Sequence, residues 1–84
     1  MGRRSRAELI SDILTEALNG ASKTRIMYRA NLNFLRFKRY FSELEGKGLI
    51  TVTSNPGRGI VYRTTEKGKA LLEVLKKAEQ IISS

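Results

Sequence analysis

The stretch NFLRFKRYFSELEGKGLITVTSNPGRGIVYRTT, residues 33–65, decides the fold. Phe37, Phe41 and Leu44 recur at 4-3 spacing, which places them on one side of a helix turning about 100° per residue. Asn33 has the side chain to cap that helix, predicted over about 34–47, and Gly46 and Gly48 end it. The period then changes. Leu49-Ile50-Thr51-Val52-Thr53 is rich in β-branched residues, and Ile60-Val61-Tyr62-Arg63-Thr64 resumes that pattern. Between them Asn55-Pro56-Gly57-Arg58 carries Pro and Gly at the central positions of a type II turn. The reading is a helix followed by a hairpin with a loop of about five residues.

Upstream, Ser22 or Thr24 caps a shorter helix containing Ile26, Met27 and Ala30, and Asn31-Leu32-Asn33 interrupts it. Two helices joined by a tight polar turn form a helix-turn-helix. Ser5-Arg6-Ala7-Glu8 reads as a capping box for a first helix over about 6–19, with Ile10, Ile13, Leu14, Ala17 and Leu18 at helical spacing. Glu8, Asp12 and Glu16 line its solvated face, and Asn19-Gly20 stops it. Downstream, Thr65 caps a helix over about 66–82, with a stripe of Leu71, Leu75, Ala78 and Ile82. The expected architecture is α-α-α-β-β-α. It is α+β, mainly α: a winged helix in one domain over residues 1–84, with a core over about 6–64, a wing over 49–64 and a C-terminal helix for dimerisation.

Composition narrows the function. A chain of 84 residues buries only about 60–65% of its unfolded surface, so it holds one modest core and no deep substrate cavity. It has no Cys and no His, so thiolate metal sites and the commonest general acid/base are absent. No nucleophile–base pair or metal-ligand cluster stands out, and neither an enzyme nor a cofactor is implied. Neither a membrane span nor a signal-peptide apolar run is present, although Met1-Gly2-Arg3-Arg4-Ser5-Arg6 is basic. The expectation is a soluble, cytoplasmic, nucleoid-associated protein with no membrane or small-molecule partner.

Sixteen Lys and Arg stand against eight Asp and Glu, a net charge of +8. The acids are segregated. None lies between Glu16 and Glu43, a window holding Lys23, Arg25, Arg29, Arg36, Lys38 and Arg39. None lies between Glu45 and Glu66, where Lys47, Arg58 and Arg63 fall. The acid-free windows coincide with the helix-turn-helix and the hairpin. A surface that displaces counterions from duplex DNA needs this character. Asn33, Arg36, Lys38, Arg39 and Ser42 point away from the Phe37/Phe41/Leu44 stripe, so the helix can present them to a major groove. Arg36 and Arg39 are expected to read bases and Arg58 to grip phosphate; Lys23, Arg25, Asn33, Lys38, Arg29 and Arg63 complete the candidate DNA-binding set. One or both of Phe34 and Leu35 are read as completing the core under the turn with Leu32, the alternative being contact with a thymine methyl or sugar. Tyr28, Tyr40 and Tyr62 are read as partly buried rings with wet hydroxyls. The rival function is a winged-helix protein–protein interaction module, which would not need so basic a helix. RNA binding would call for exposed aromatic rings.

Lys23-Thr24-Arg25-Ile26-Met27-Tyr28-Arg29-Ala30-Asn31-Leu32 resembles the archaeal winged-helix proteins that include the 10a chromatin-associated proteins and related membrane-linked transcriptional regulators. Leu44-Glu45-Gly46-Lys47-Gly48-Leu49-Ile50 and Thr65-Glu66-Lys67-Gly68 look like the same family's helix-to-wing junction and the start of its last helix. The resemblance covers about residues 7–75. It implies double-stranded DNA binding in archaeal transcription or chromatin, with the third helix in the major groove and the wing on the backbone. It also implies a homodimer through the C-terminal helix, an antiparallel coiled coil in the 10a proteins. The candidate dimerisation residues are Leu71, Val74, Leu75, Ala78, Ile81 and Ile82. This sequence departs from the pattern in its short last helix and in Gly46, which stands where a helix former is usual.

Overall fold

The computed structural model describes residues 5–83, so the basic Met1–Arg4 segment lies outside the described residues. The elements are α1 (Arg6–Glu16), α2 (Lys23–Ala30), α3 (Phe34–Gly46), β1 (Ile50–Asn55), β2 (Gly59–Thr64) and α4 (Glu66–Ser83). The α-α-α-β-β-α order is as read from the sequence.

The caps explain where the helices begin. The Glu8 amide donates to Ser5 Oγ (3.1 Å) while Glu8 Oε1 accepts from the Ser5 amide (2.8 Å), completing the capping box. Ser22 Oγ accepts from the Arg25 amide (3.2 Å), so Ser22 is the cap of α2 rather than Thr24. Asn33 Oδ1 accepts from the Arg36 amide (2.8 Å) at the start of α3. Asn31 takes a left-handed conformation (φ 56°), which bends the chain sharply between α2 and α3.

Two boundaries differ from the sequence reading. Helix α1 ends at Glu16 instead of about residue 19. Its last turn is diverted because Thr64 claims its free carbonyls: Thr64 Oγ1 donates to Leu14 O (2.7 Å) and the Thr64 amide donates to Ala17 O (2.9 Å). The hairpin loop is also shorter than five residues. Asn55 pairs with Gly59, leaving Pro56-Gly57-Arg58 as the turn, closed by the Arg58 amide donating to Asn55 O (3.0 Å). Gly57 (φ 85°) and Gly59 (φ 78°) both accept positive φ, which lets the ladder run to the tip. An unanticipated feature joins the wing to the helices. Ala21 and Tyr62 exchange backbone hydrogen bonds (2.9 Å each way), so the α1–α2 connection adds a one-residue third strand.

The core gathers Leu9, Ile13 and Leu14 of α1, Ile26 and Ala30 of α2, Leu32, Phe37 and Leu44 of α3, Leu49 and Ile50, and Leu72 of α4. Phe37, Phe41 and Tyr62 stack in a cluster, with Phe41 and Tyr62 centroids 4.4 Å apart, and seat the hairpin against α3. Tyr62 is half-buried there; burial, and secondarily the charge of Glu45, push its hydroxyl pKa up.

Gly68 sets the angle of α4. Thr65 Oγ1 accepts from the Gly68 amide (3.0 Å) and donates to Gly48 O (2.6 Å), holding the helix start against the α3–β1 junction. A Cβ on Gly68 would stand 2.1 Å from Leu49 O and 2.6 Å from Thr64 Cγ2. The backbone oxygen cannot give way, so Gly68→Ala is expected to lower unfolding stability by about 1–3 kcal/mol despite Ala's better helix propensity. Urea denaturation monitored by circular dichroism checks this; a stabilised variant would mean that α4 does not pack this closely.

Candidate nucleic-acid interface

Helix α3 is buried along one side only. Phe37 and Leu44 face the core, with Phe41 and Tyr40 half-buried beside them. At about 100° per residue, Leu35, Arg39, Ser42 and Gly46 fall on the opposite line of the helix. All four are exposed. Lys38 lies to one side of that line, with Phe41 and Glu45, toward the hairpin. Arg36 lies to the other, with Tyr40 and Glu43, toward the start of α1. The outer line thus runs from a large apolar residue, through a long cation, to two small residues. A helix with small residues toward one end and flanking cations can enter a groove closely and keep both walls neutralised.

The candidate cations are not equivalent. Arg36, Lys38 and Arg39 have no carboxylate in ion-pair reach among the described residues, and the same holds for Arg29 and Arg58. Arg58 sits at the exposed hairpin turn. Arg25 is exposed but its Nε binds Glu16 at 2.6 Å, so its charge is partly offset within the protein. Arg63 lies at the base of the hairpin, opposite Thr51, with its guanidinium packed close to Gly20. Four residues separate it from Gly59, roughly 13 Å along the strand from the tip where Arg58 sits. Lys23 Nζ rests 4.7 Å from the centroid of the Phe34 ring, a cation–π contact at the start of the helix-turn-helix. Asn33 uses its Oδ1 to cap α3, leaving its amide nitrogen for an outside acceptor.

Of the two acidic residues that flank this face, Glu43 is engaged by cations, while Glu45 stands exposed on the Lys38 side. Glu43 receives Arg6 from α1 and Lys47 (3.3 Å) from the end of α3. Hydrogen bonding from Lys47, and then from Arg6, outweighs desolvation and holds its carboxyl below the ordinary range. Arg6 also lies over the Tyr40 ring at 5.8 Å. This Arg6–Glu43–Lys47 cluster was not read from the sequence: Glu43 and Lys47 are one helical turn apart, but Arg6 reaches Glu43 from 37 residues away. Its effect is to offset the Glu43 carboxylate charge on the Arg36 flank of α3.

Three side chains lie where the sequence reading did not put them. Phe34 and Leu35 do not complete the core; they are 50% and 75% exposed, and Leu32 alone of that group is buried. Tyr28 is 83% exposed rather than partly buried, since it sits on the side of α2 away from Ile26 and Ala30. The signal was available for Leu35: its helical angle from Phe37 places it nearly opposite the stripe.

On α4, Leu72 alone among the large apolar residues is fully buried, and Leu71 and Leu75 are half-buried. Val74, Ala78, Ile81 and Ile82 are exposed. Leu75, Ala78 and Ile82 line one wall of an open groove of about 350 Å³, whose other wall is Ala7 and Ser11 of α1. No helix among the described residues is long and apolar enough to cross a membrane.

The winged helix-turn-helix family matches residues 3–83. An uncharacterized protein of Methanocaldococcus jannaschii is 35% identical over 98% of this chain and 80% of its own length. Among solved structures, Sso10a-2, a DNA-binding protein from Sulfolobus solfataricus, matches with a TM-score of 0.82 at 26% identity, over 95% of this chain and 83% of that one. A MarR family transcriptional regulator from Rhodococcus sp. RHA1 matches with a TM-score of 0.71 at 25% identity, over 90% of this chain and 54% of that one. The similarity to archaeal 10a proteins read from residues 23–32 is borne out, and the half-length match to the bacterial regulator is a match of this fold. Matched along nearly its whole length, with the helix-turn-helix and hairpin in place, the chain belongs to the winged helix-turn-helix family.

Proposed function

We propose that the protein is a non-catalytic double-stranded DNA-binding protein, a transcriptional regulator or chromatin-associated protein, that places α3 in the major groove and the hairpin on the backbone and acts as a homodimer through α4. The observation that carries this reading is the outer side of α3, where Arg36, Lys38 and Arg39 lack carboxylate partners among the described residues while Glu43 beside them is neutralised internally. That Sso10a-2 is a DNA-binding protein supports it.

Arg39 stands on the outer line of α3 and Arg36 at its flank, both within the first half of the helix, where side chains meet base edges. Arg36→Ala and Arg39→Ala are each expected to cost about 1–3 kcal/mol and to relax preference at particular base pairs. Arg58→Ala should weaken all sequences alike and flatten the salt dependence by about one unit. Fluorescence anisotropy on a panel of duplexes checks this. Uniform weakening by all three variants would assign the helix to charge contacts only. Competition between a promoter fragment and random duplex at fixed salt separates a regulator, with a large specificity ratio, from an architectural protein, with a ratio near one.

A further inference from the structure

The first turn of α3 carries an apolar surface that neither the fold nor charge-driven binding explains. Leu35 is 75% exposed on the line opposite Phe37 and Leu44. Phe34 beside it is half exposed. A single exposed leucine is ordinary. This one differs in its surroundings. It shares its line with Arg39, is flanked by Arg36 and Lys38, and adjoins a Phe34 ring already under the Lys23 ammonium. An apolar side chain ringed by cations without carboxylate partners is a poor seat for a second protein's apolar face, because docking would desolvate those cations. It suits a polyanion that carries apolar groups at the bottom of a charged groove. Duplex DNA has one such group in its major groove, the C5 methyl of thymine.

Resting on the DNA-binding reading above, we propose that Leu35 is a specificity-determining residue that contacts thymine methyl groups, with Phe34 packing beside it against the adjoining sugar. The positively charged neighbours bring the phosphates to the flanks of α3. Arg39, one turn further on the same line, reaches the next base edges. Leu35 then meets the groove floor at the end of the helix that penetrates deepest. Where the base pair lacks a methyl, the leucine stays against water or a polar edge. The protein therefore prefers A·T-containing sites through the major groove, and uracil does not substitute for thymine.

The experiment uses the full chain and two duplexes of identical alternating A·T sequence, one containing thymine and one with uracil at every thymine position. The pair carries the same phosphates and the same hydrogen-bonding edges; the methyl is the difference. Binding is measured by anisotropy at several salt concentrations, and the two duplexes are compared at the lowest. The wild-type protein is expected to bind the thymine duplex roughly fourfold tighter for each methyl contacted. In Leu35→Ala the ratio should fall toward one while the salt slope is retained, since no charge is removed. Leu35→Met, which keeps the apolar contact, should keep most of the preference. The fold of each variant is checked by thermal melting. Equal wild-type affinity for both duplexes overturns the inference and leaves the DNA reading standing. Full discrimination by Leu35→Ala overturns it as well. Tighter binding to an oligo(dT) single strand than to the thymine duplex would overturn it too and make the Phe34 ring a base-stacking platform instead. Binding to none of these at low salt would remove the DNA reading, and this inference with it.

Discussion

Raising monovalent salt from about 50 to about 200 mM is expected to weaken duplex DNA binding by roughly 250- to 1,000-fold per chain bound. The size of the effect follows from which cations are free to meet phosphate. Nine Lys and Arg fall in the two acid-free windows of the sequence. The structure sorts them. Arg25 is engaged by Glu16, Lys47 by Glu43, and Arg63 packs beside Gly20 at the base of the hairpin. Lys23, Arg29, Arg36, Lys38, Arg39 and Arg58 remain, all exposed. If about five of these reach phosphates, log K falls against log[salt] with a slope near −4 to −5. Titration at four or more salt concentrations gives the slope directly. A slope shallower than about −2, or no binding at the lowest salt, contradicts the proposed function. Replacing Arg25 with Ala should change the slope less than replacing any of those six, because its charge is already shared with Glu16.

The second large effect is expected at α4. Replacing both Ala78 and Ile82 with Glu should weaken self-association by at least about a hundredfold, through lost apolar burial and four carboxylates brought into one seam. The domain itself covers Leu72 and part of Leu71 and Leu75. Beyond them Val74 (63% exposed), Ile81 (73%) and Ile82 (82%) stand in water. Burial of each is worth roughly 1.5–3 kcal/mol. Val74 and Ile81 are seven residues apart, as are Leu71 and Ala78, and Leu75 and Ile82, the repeat of a two-helix seam. A second copy of α4 can cover this seam, and the open groove beside Ala7 and Ser11 gives its end a seat. A two-fold dimer would then offer two copies of α3 to major-groove faces about 34 Å apart. Sedimentation equilibrium decides the matter. The unmodified protein should weigh as a dimer and the double variant as a monomer. A monomeric wild type at high micromolar concentration would leave α4 as a helix lying along its own domain and rule out the two-fold arrangement.

The order of elements and most of their ends were legible in the residues alone. Caps and turns are local chemistry: Ser5 with Glu8, Asn33, and Pro56-Gly57 act on backbone groups within a few residues, so their reading needs no fold. Segregated charge was legible for the same reason, since long acid-free windows must give acid-free elements. The segment around residues 23–32 carried the resemblance to archaeal winged-helix proteins, which the family match over residues 3–83 bears out. What depends on partners distant in the chain emerged with the folded arrangement. Thr64 ends α1 early by bonding to Leu14 and Ala17, some fifty residues away in the sequence. Ala21 becomes a strand only because Tyr62 arrives beside it. The Glu43 carboxylate has its charge offset by Arg6, 37 residues away. Phe34 is half exposed with Lys23 of α2 over its ring, whereas the exposure of Leu35 is legible in its helical angle from Phe37. Hydrophobic type gives a residue its preference for burial, but the volume of the core and the direction of the helix fix which residues obtain it.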